Sequence, residues 1–263
     1  MSQIAAVKAT PDRSSSDVTT LAAIGVLSHI VADVIHEVIG HAGTALVSGG
    51  RIILLTSVFF RSDPGSRFVD AAGPTANLIP GFLFLGLSKR TQTGAIGFFF
   101  LLAAAFNLFW CAGYFLFSAG VNQGDWALVI RGWPLPLLWR TILFGLGPAL
   151  YAFAIRQTLS SMARLSDQPG TLENSRRVLF VPYFAAGVAA IVAALFSRVD
   201  SANAFGGAIR EAFLTNAVLL IMPHWMARRS NNGPVIHRDP RWIFAGLIAF
   251  VIFVLTMGRG VVG

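Results

Sequence analysis

The sequence holds one cysteine, Cys111, and it lies in an apolar run. A single thiol excludes an intramolecular disulfide and any zinc centre built from cysteines. Charge is scarce as well. Asp, Glu, Lys and Arg make up 12% of the residues, against about 25% in an average soluble domain. The N-terminal stretch "MSQIAAVKATPDRSSSDVTT" lacks the basic-then-apolar layout of a cleaved signal peptide. Residues 1–17 are expected to form a flexible polar tail. No internal repeat occurs, and no polar stretch is long enough to make a separate soluble domain.

What fills the chain is apolar. Hydrophobic residues reach 55% and the mean hydropathy is +0.67. Apolar runs fall near 18–48, 69–88, 93–120, 135–158, 177–197, 208–227 and 242–258, and several reach the roughly 20 residues that cross a bilayer core. The expected fold is therefore an all-α polytopic membrane protein with about six to seven transmembrane helices. It is expected in a bilayer, the bacterial inner membrane, with lipids as partners. The "GFFFLL" run reads as lipid-facing bulk. The stretch "RIILLTSVFFRSDPGSRF" (51–68) differs: it is β-branched and aromatic, then broken by "SDPGS", which reads as a short β element after the first helix. Polar segments 159–176 and 228–241 read as solvated loops.

The net charge is +8. Nucleic acid is not implied, because that needs a basic face on a soluble module. The arginines lie between apolar runs. With residue 1 inside and seven crossings, the larger share of the 20 Lys and Arg residues falls on the inner side.

Against this background "DVIHEVIGHAGTALVSGG" (33–50) stands out. On a helix turning about 100° per residue, His29, Asp33, His36, Glu37, His41, Thr44 and Ser48 fall in one arc, opposite Val, Ile, Leu and Ala. Ionisable groups at membrane depth are costly and mark a functional interior. A His followed by Glu, with a second His about one turn on, suits zinc hydrolase chemistry. The imidazoles hold the metal and the Glu takes a proton from the attacking water. The usual spacing is His-Glu-x-x-His; here His36 and His41 are i and i+5. On an ideal α-helix they diverge by about 140°, too far for one ion. A one-residue π-bulge would bring them onto one face, and Gly40 tolerates the adjustment.

Catalytic zinc takes three protein ligands. The acids near apolar segments are Asp33, Asp70, Asp125 and Glu211. Asp33, one turn before Glu37, suits an outer partner that orients His36 or His29 by accepting a ring N–H. Glu211 pairs with Arg210. Asp70 and Asp125 remain as third-ligand candidates. Asn77 and Asn107 are amides in apolar runs. For Asn77 the expectation is a substrate-strand clamp or oxyanion donor, and for Asn107 an interhelical hydrogen bond.

"HEVIGH" resembles the His-Glu-x-x-Gly-His form of dipeptidyl peptidase III, over these six residues only. Taken with "AAGPTANLIPGFLFL" and "FNLFWCAGYFLFSAGVNQGDW", it resembles the layout of the site-2 protease family of intramembrane zinc metalloproteases, over roughly residues 28–130. The resemblance implies a metallopeptidase-like membrane core at 18–130, with additional transmembrane helices at 131–263. It implies Zn2+ held by His36, His41 and Asp125, with Glu37 as the general base. Gly73, Pro74 and Asn77 match the family's Gly-Pro-x-x-Asn segment, and "QGDW" stands where the family has Asp-Gly. The substrate implied is a membrane-embedded or membrane-adjacent peptide, presented by edge pairing with residues 51–60. Two other readings fit the same residues. One is an inactive scaffold of the same fold, favoured by the longer histidine spacing. The other is a proton-coupled transporter using the His29–His41 stripe as a relay.

Overall fold

The structure is a computed structural model, described here for residues 15–91, 94–166, 172–198, 201–228 and 233–263. The first fourteen residues of the expected tail lie outside that set, as do 167–171 and 229–232 of the expected loops. Helix α1 runs Val18–Val47. Its N-cap is Asp17, whose carboxylate accepts from the backbone N–H of Thr20 at 2.8 Å. The hairpin β1 (Arg51–Leu55) and β2 (Phe60–Asp63) follows. Then come α2 (Arg67–Arg90), α3 (Gly94–Val121), the short α4 (Asp125–Ile130), α5 (Pro136–Leu165) and α6 (Leu172–Leu195). Next is α7 (Ser201–Ala208), which continues as a π segment Ile209–Leu214. The last elements are a 3-10 turn Ala217–Leu220, α8 (Met222–Ala227), α9 (Pro240–Gly258) and β3 (Val261–Val262).

Among the described residues, six helices, α1, α2, α3, α5, α6 and α9, are long and apolar enough to cross a membrane. They line up between two ends. At one end the starts of α1 and α9 meet, where Asp239 N–H donates to Thr20 Oγ1 at 3.1 Å. At the other end, a Cβ on Gly258 of α9 would press on the backbone of Ala193, near the end of α6. The chain leaves α6 at this second end and must start α9 at the first, so the segment 201–227 carries it back. The expected span at 208–227 is therefore not one helix but a broken one. Its break exposes backbone carbonyls, and two tyrosines cap them: Tyr151 donates to Thr215 O at 2.7 Å and Tyr183 to Phe213 O at 3.2 Å.

The apolar runs misplace one surface. The "GFFFLL" stretch is not all lipid-facing: Phe98, Leu101 and Leu102 are fully buried, because α3 is the centre of the bundle. A helix apolar all round does not say whether lipid or protein surrounds it. The polar segment 159–176 is also corrected. Leu159, Met162 and Leu165 are buried on the last turns of α5, a helical spacing hidden among polar neighbours. The hairpin at 51–63 forms as expected, but β3 joins it, so the sheet order is β2-β1-β3.

Candidate metal centre

The middle of α1, Val34–Ala42, is a nine-residue π-helix. Its i→i+5 bonding widens the turn by one residue and rotates His41 onto the face of His36. The two Nε2 atoms lie 3.2 Å apart. Close packing against α2 accompanies this. A Cβ on Gly40 would lie 2.7 Å from the Gly73 Cα, so only paired glycines let the two helices approach this closely.

The third group arrives from the turn after α3. Gly124 has φ +80° and ψ −176°, a region open to glycine. It folds the chain back so that Asp125 opens α4 beneath the histidines. Asp125 Oδ2 is 3.2 Å from His36 Nε2 and 3.5 Å from His41 Nε2. Among the described residues, His36, His41 and Asp125 are the group whose ligand atoms converge as a metal would need.

The tautomers follow from the outer partners. Asn77 uses its amide N–H groups to donate to Ala32 O at 3.0 Å and Asn107 Oδ1 at 2.9 Å. Its Oδ1 therefore faces His36 Nδ1, 2.6 Å away, as the acceptor. His41 Nδ1 donates to Val69 O at 2.7 Å. Both neutral rings thus carry the proton on Nδ1 and point an Nε2 lone pair inward. Asp125 Oδ2 is buried and accepts no hydrogen bond. Three acceptor atoms that face one another repel unless a positive charge sits between them.

The spacing fits a metal. Around a tetrahedral ion with bonds of about 2.0–2.1 Å, ligand atoms stand about 3.3 Å apart; here they stand 3.2, 3.2 and 3.5 Å apart. A space is kept for the ion by Gly73. A Cβ there would overlap the His41 ring and lie 2.8 Å from His36 Nε2.

Aromatic rings wall the centre. Trp110 and Tyr114 each lie 5.2 Å from the His36 ring, and Phe60 of β2 stacks on His41 at 5.5 Å. Glu37 is 3% exposed, and its Oε2 has no hydrogen-bond partner. Its carboxylate is within electrostatic reach of His41 and Asp125.

Several expected roles change. Asp33 is buried but neither oxygen is hydrogen-bonded. It orients no histidine; Asn77 and the Val69 carbonyl do that. Asn77 is not an oxyanion donor or strand clamp, because both its N–H groups are used inside the core. Asn107 makes the expected interhelical bond, to Asn77, and anchors itself on Ala103 O at 2.7 Å. Asp70 is half-buried in the first turn of α2 and is not in the converging group. His29 is buried between Trp110, Phe106 and Phe253, with neither ring nitrogen bonded.

Sequence reasoning missed Tyr114 as a neighbour of the site and treated Glu211 only as the partner of Arg210. The pair does form, at 3.3 Å, within the π segment that ends α7. Two charges in an apolar run were the available signal. Comparison with protein-family models, curated proteins and solved structures finds no match.

The hydrogen bond from His36 to Asn77 carries a prediction. In Asn77→Ala, His36 loses the acceptor that fixes its tautomer, and Asn107 Oδ1 loses its donor. Metal affinity should fall about 10–100-fold, read by competition against a zinc-binding dye in detergent. Unchanged affinity would mean that packing alone orients His36.

Proposed function

We propose that this chain is a multi-pass membrane zinc metallopeptidase of the kind the site-2 proteases represent, cleaving membrane-embedded or membrane-adjacent peptides. The observation that supports it most is the inward convergence of the His36, His41 and Asp125 lone pairs on a gap that Gly73 keeps open, with Glu37 within electrostatic reach of His41 and Asp125. When bound, zinc supplies Lewis acidity that polarises a carbonyl and acidifies water. The chain's own residues do the rest. Glu37 takes the proton from water as its oxygen bonds to the carbonyl carbon. It then delivers that proton to the amide nitrogen as the C–N bond breaks. Trp110, Tyr114 and Phe60 keep bulk water from the histidines.

A peptide can reach the site as an added strand, but not on β1. That strand is central, paired with β2 on one side and β3 on the other. Of the two edge strands, β2 is the one whose Phe60 stacks on His41. A substrate strand on β2 would lie next to the metal centre.

The longer histidine spacing weighs less toward an inactive scaffold once a π-helix places both rings on one face. The transporter reading is favoured by one observation, the buried and unpartnered Ser28, His29 and Asp33. It gives no reason for the convergence on Gly73.

Metal removal tests the reading. Purified protein in detergent should cleave fluorescent casein. Incubation with 1,10-phenanthroline should abolish cleavage, and added Zn2+ should restore it. Cleavage indifferent to the chelator, or none from zinc-replete protein, would count against a metallopeptidase.

A further inference from the structure

The π segment that ends α7 brings a charged pair to the wall of the metal centre, and the residues of that pair are held in a closed ring of contacts. The Tyr114 ring lies 5.2 Å from the His36 ring, and its hydroxyl donates to Glu211 Oε1 at 2.8 Å. Arg210 Nη2 donates to the same oxygen at 3.3 Å. The Arg210 guanidinium stacks over Phe117, 4.6 Å from the ring centroid. Phe117 in turn packs on Gly124, where an added Cβ would be 3.2 Å away. Gly124 is the residue before Asp125. The contacts thus run from one member of the metal group, through Tyr114, Glu211, Arg210 and Phe117, back to another.

Glu211 is 1% exposed, whereas the Arg210 side chain is 27% exposed. The cation is therefore the accessible member of the pair. Among the described residues only Nη2 of its donors makes a hydrogen bond, and Nε is buried with no partner. Balancing Glu211 would need only a positive charge. This guanidinium is planar, permanently charged, gripped on its face by Phe117 and on one edge by Glu211, with donors left over. Arg210 also lies within electrostatic reach of Asp125. Such a group stabilises an oxygen that gains negative charge, and does so without reorganising.

We propose that Arg210, positioned by Glu211, Tyr114 and Phe117, binds the oxygen of the scissile carbonyl as negative charge develops on it. This rests on the metallopeptidase reading. As the water oxygen bonds to the carbonyl carbon, the C=O π pair moves onto the carbonyl oxygen, where Arg210 N–H groups receive it. The pair returns when the C–N bond breaks and the nitrogen takes the proton that Glu37 removed from water. Glu211 is a positioning residue in this scheme.

The test uses full-length protein in detergent, loaded with Co2+ so that ligands at the centre shift its visible absorption. Inorganic phosphate serves as the tetrahedral oxyanion probe. 2-Mercaptoethanol serves as a probe that binds the metal through sulfur and leaves Arg210 untouched. In Arg210→Gln, phosphate should bind at least about tenfold more weakly, with thiol affinity within about twofold of wild type. Arg210→Lys keeps the charge but loses the planar fork, and should weaken phosphate by at least about threefold. Phosphate binding equal to wild type in cobalt-loaded Arg210→Gln or Arg210→Lys would overturn the proposal and leave the metal reading standing. Wild-type protein that takes up no cobalt would overturn both.

Discussion

Replacing Gly73 with alanine should abolish metal binding. The expected occupancy is below about one-tenth of wild type, because the new methyl would crowd both Nε2 atoms. A Cβ at this position overlaps the His41 ring and stands 2.8 Å from His36 Nε2. A bound ion would lie about 2.0–2.1 Å from each nitrogen, so methyl and metal claim the same space. The neighbours cannot yield easily. His36 is tied to Asn77 and His41 to the Val69 carbonyl. On the other side, Gly40 already touches the Gly73 backbone. Overpacking of this kind costs about 1–3 kcal/mol, so the variant should fold with a modestly lowered Tm. Elemental analysis alongside thermal melts separates the two effects. Full metal occupancy in Gly73→Ala would mean that the ion, if present, lies elsewhere.

Glu37→Gln should retain metal and lose cleavage. The amide has nearly the same volume but cannot accept the water's proton. General-base catalysis contributes about 10²–10⁴-fold, and the casein cleavage rate should fall by that factor. Full activity in this variant would remove Glu37 from the mechanism.

The polar stripe of α1 was legible from composition alone. Five ionisable residues on one arc of an apolar helix had to face an interior, and His29, Asp33, His36, Glu37 and His41 are all buried. The spacing of His36 and His41 demanded a widened turn, and Gly40 marked where it could form. The hairpin at 51–63 was legible from its β-branched run and the turn residues after it. Other features depend on partners that no local pattern names. Asn77 looked like a free donor, but Ala32 and Asn107 take both its N–H groups, which fixes its carbonyl on His36. The burial of α3 was hidden because its composition suits lipid and protein equally. The break at Thr215 and Asn216 depends on hydroxyls of Tyr151 and on the local bonds of Asn216 to Glu211 O and Ala212 O, both at 3.2 Å. β3 is two residues after Gly260, too short to signal a strand until β1 is there to pair with it.

His36, His41 and Asp125 are proposed to hold one zinc ion. The most direct measurement is zinc per protein by elemental mass spectrometry, on wild type and His41→Ala, both purified in detergent without chelators. About one zinc per chain is expected in wild type, and its loss in His41→Ala. No zinc in either protein, or equal zinc in both, would contradict it.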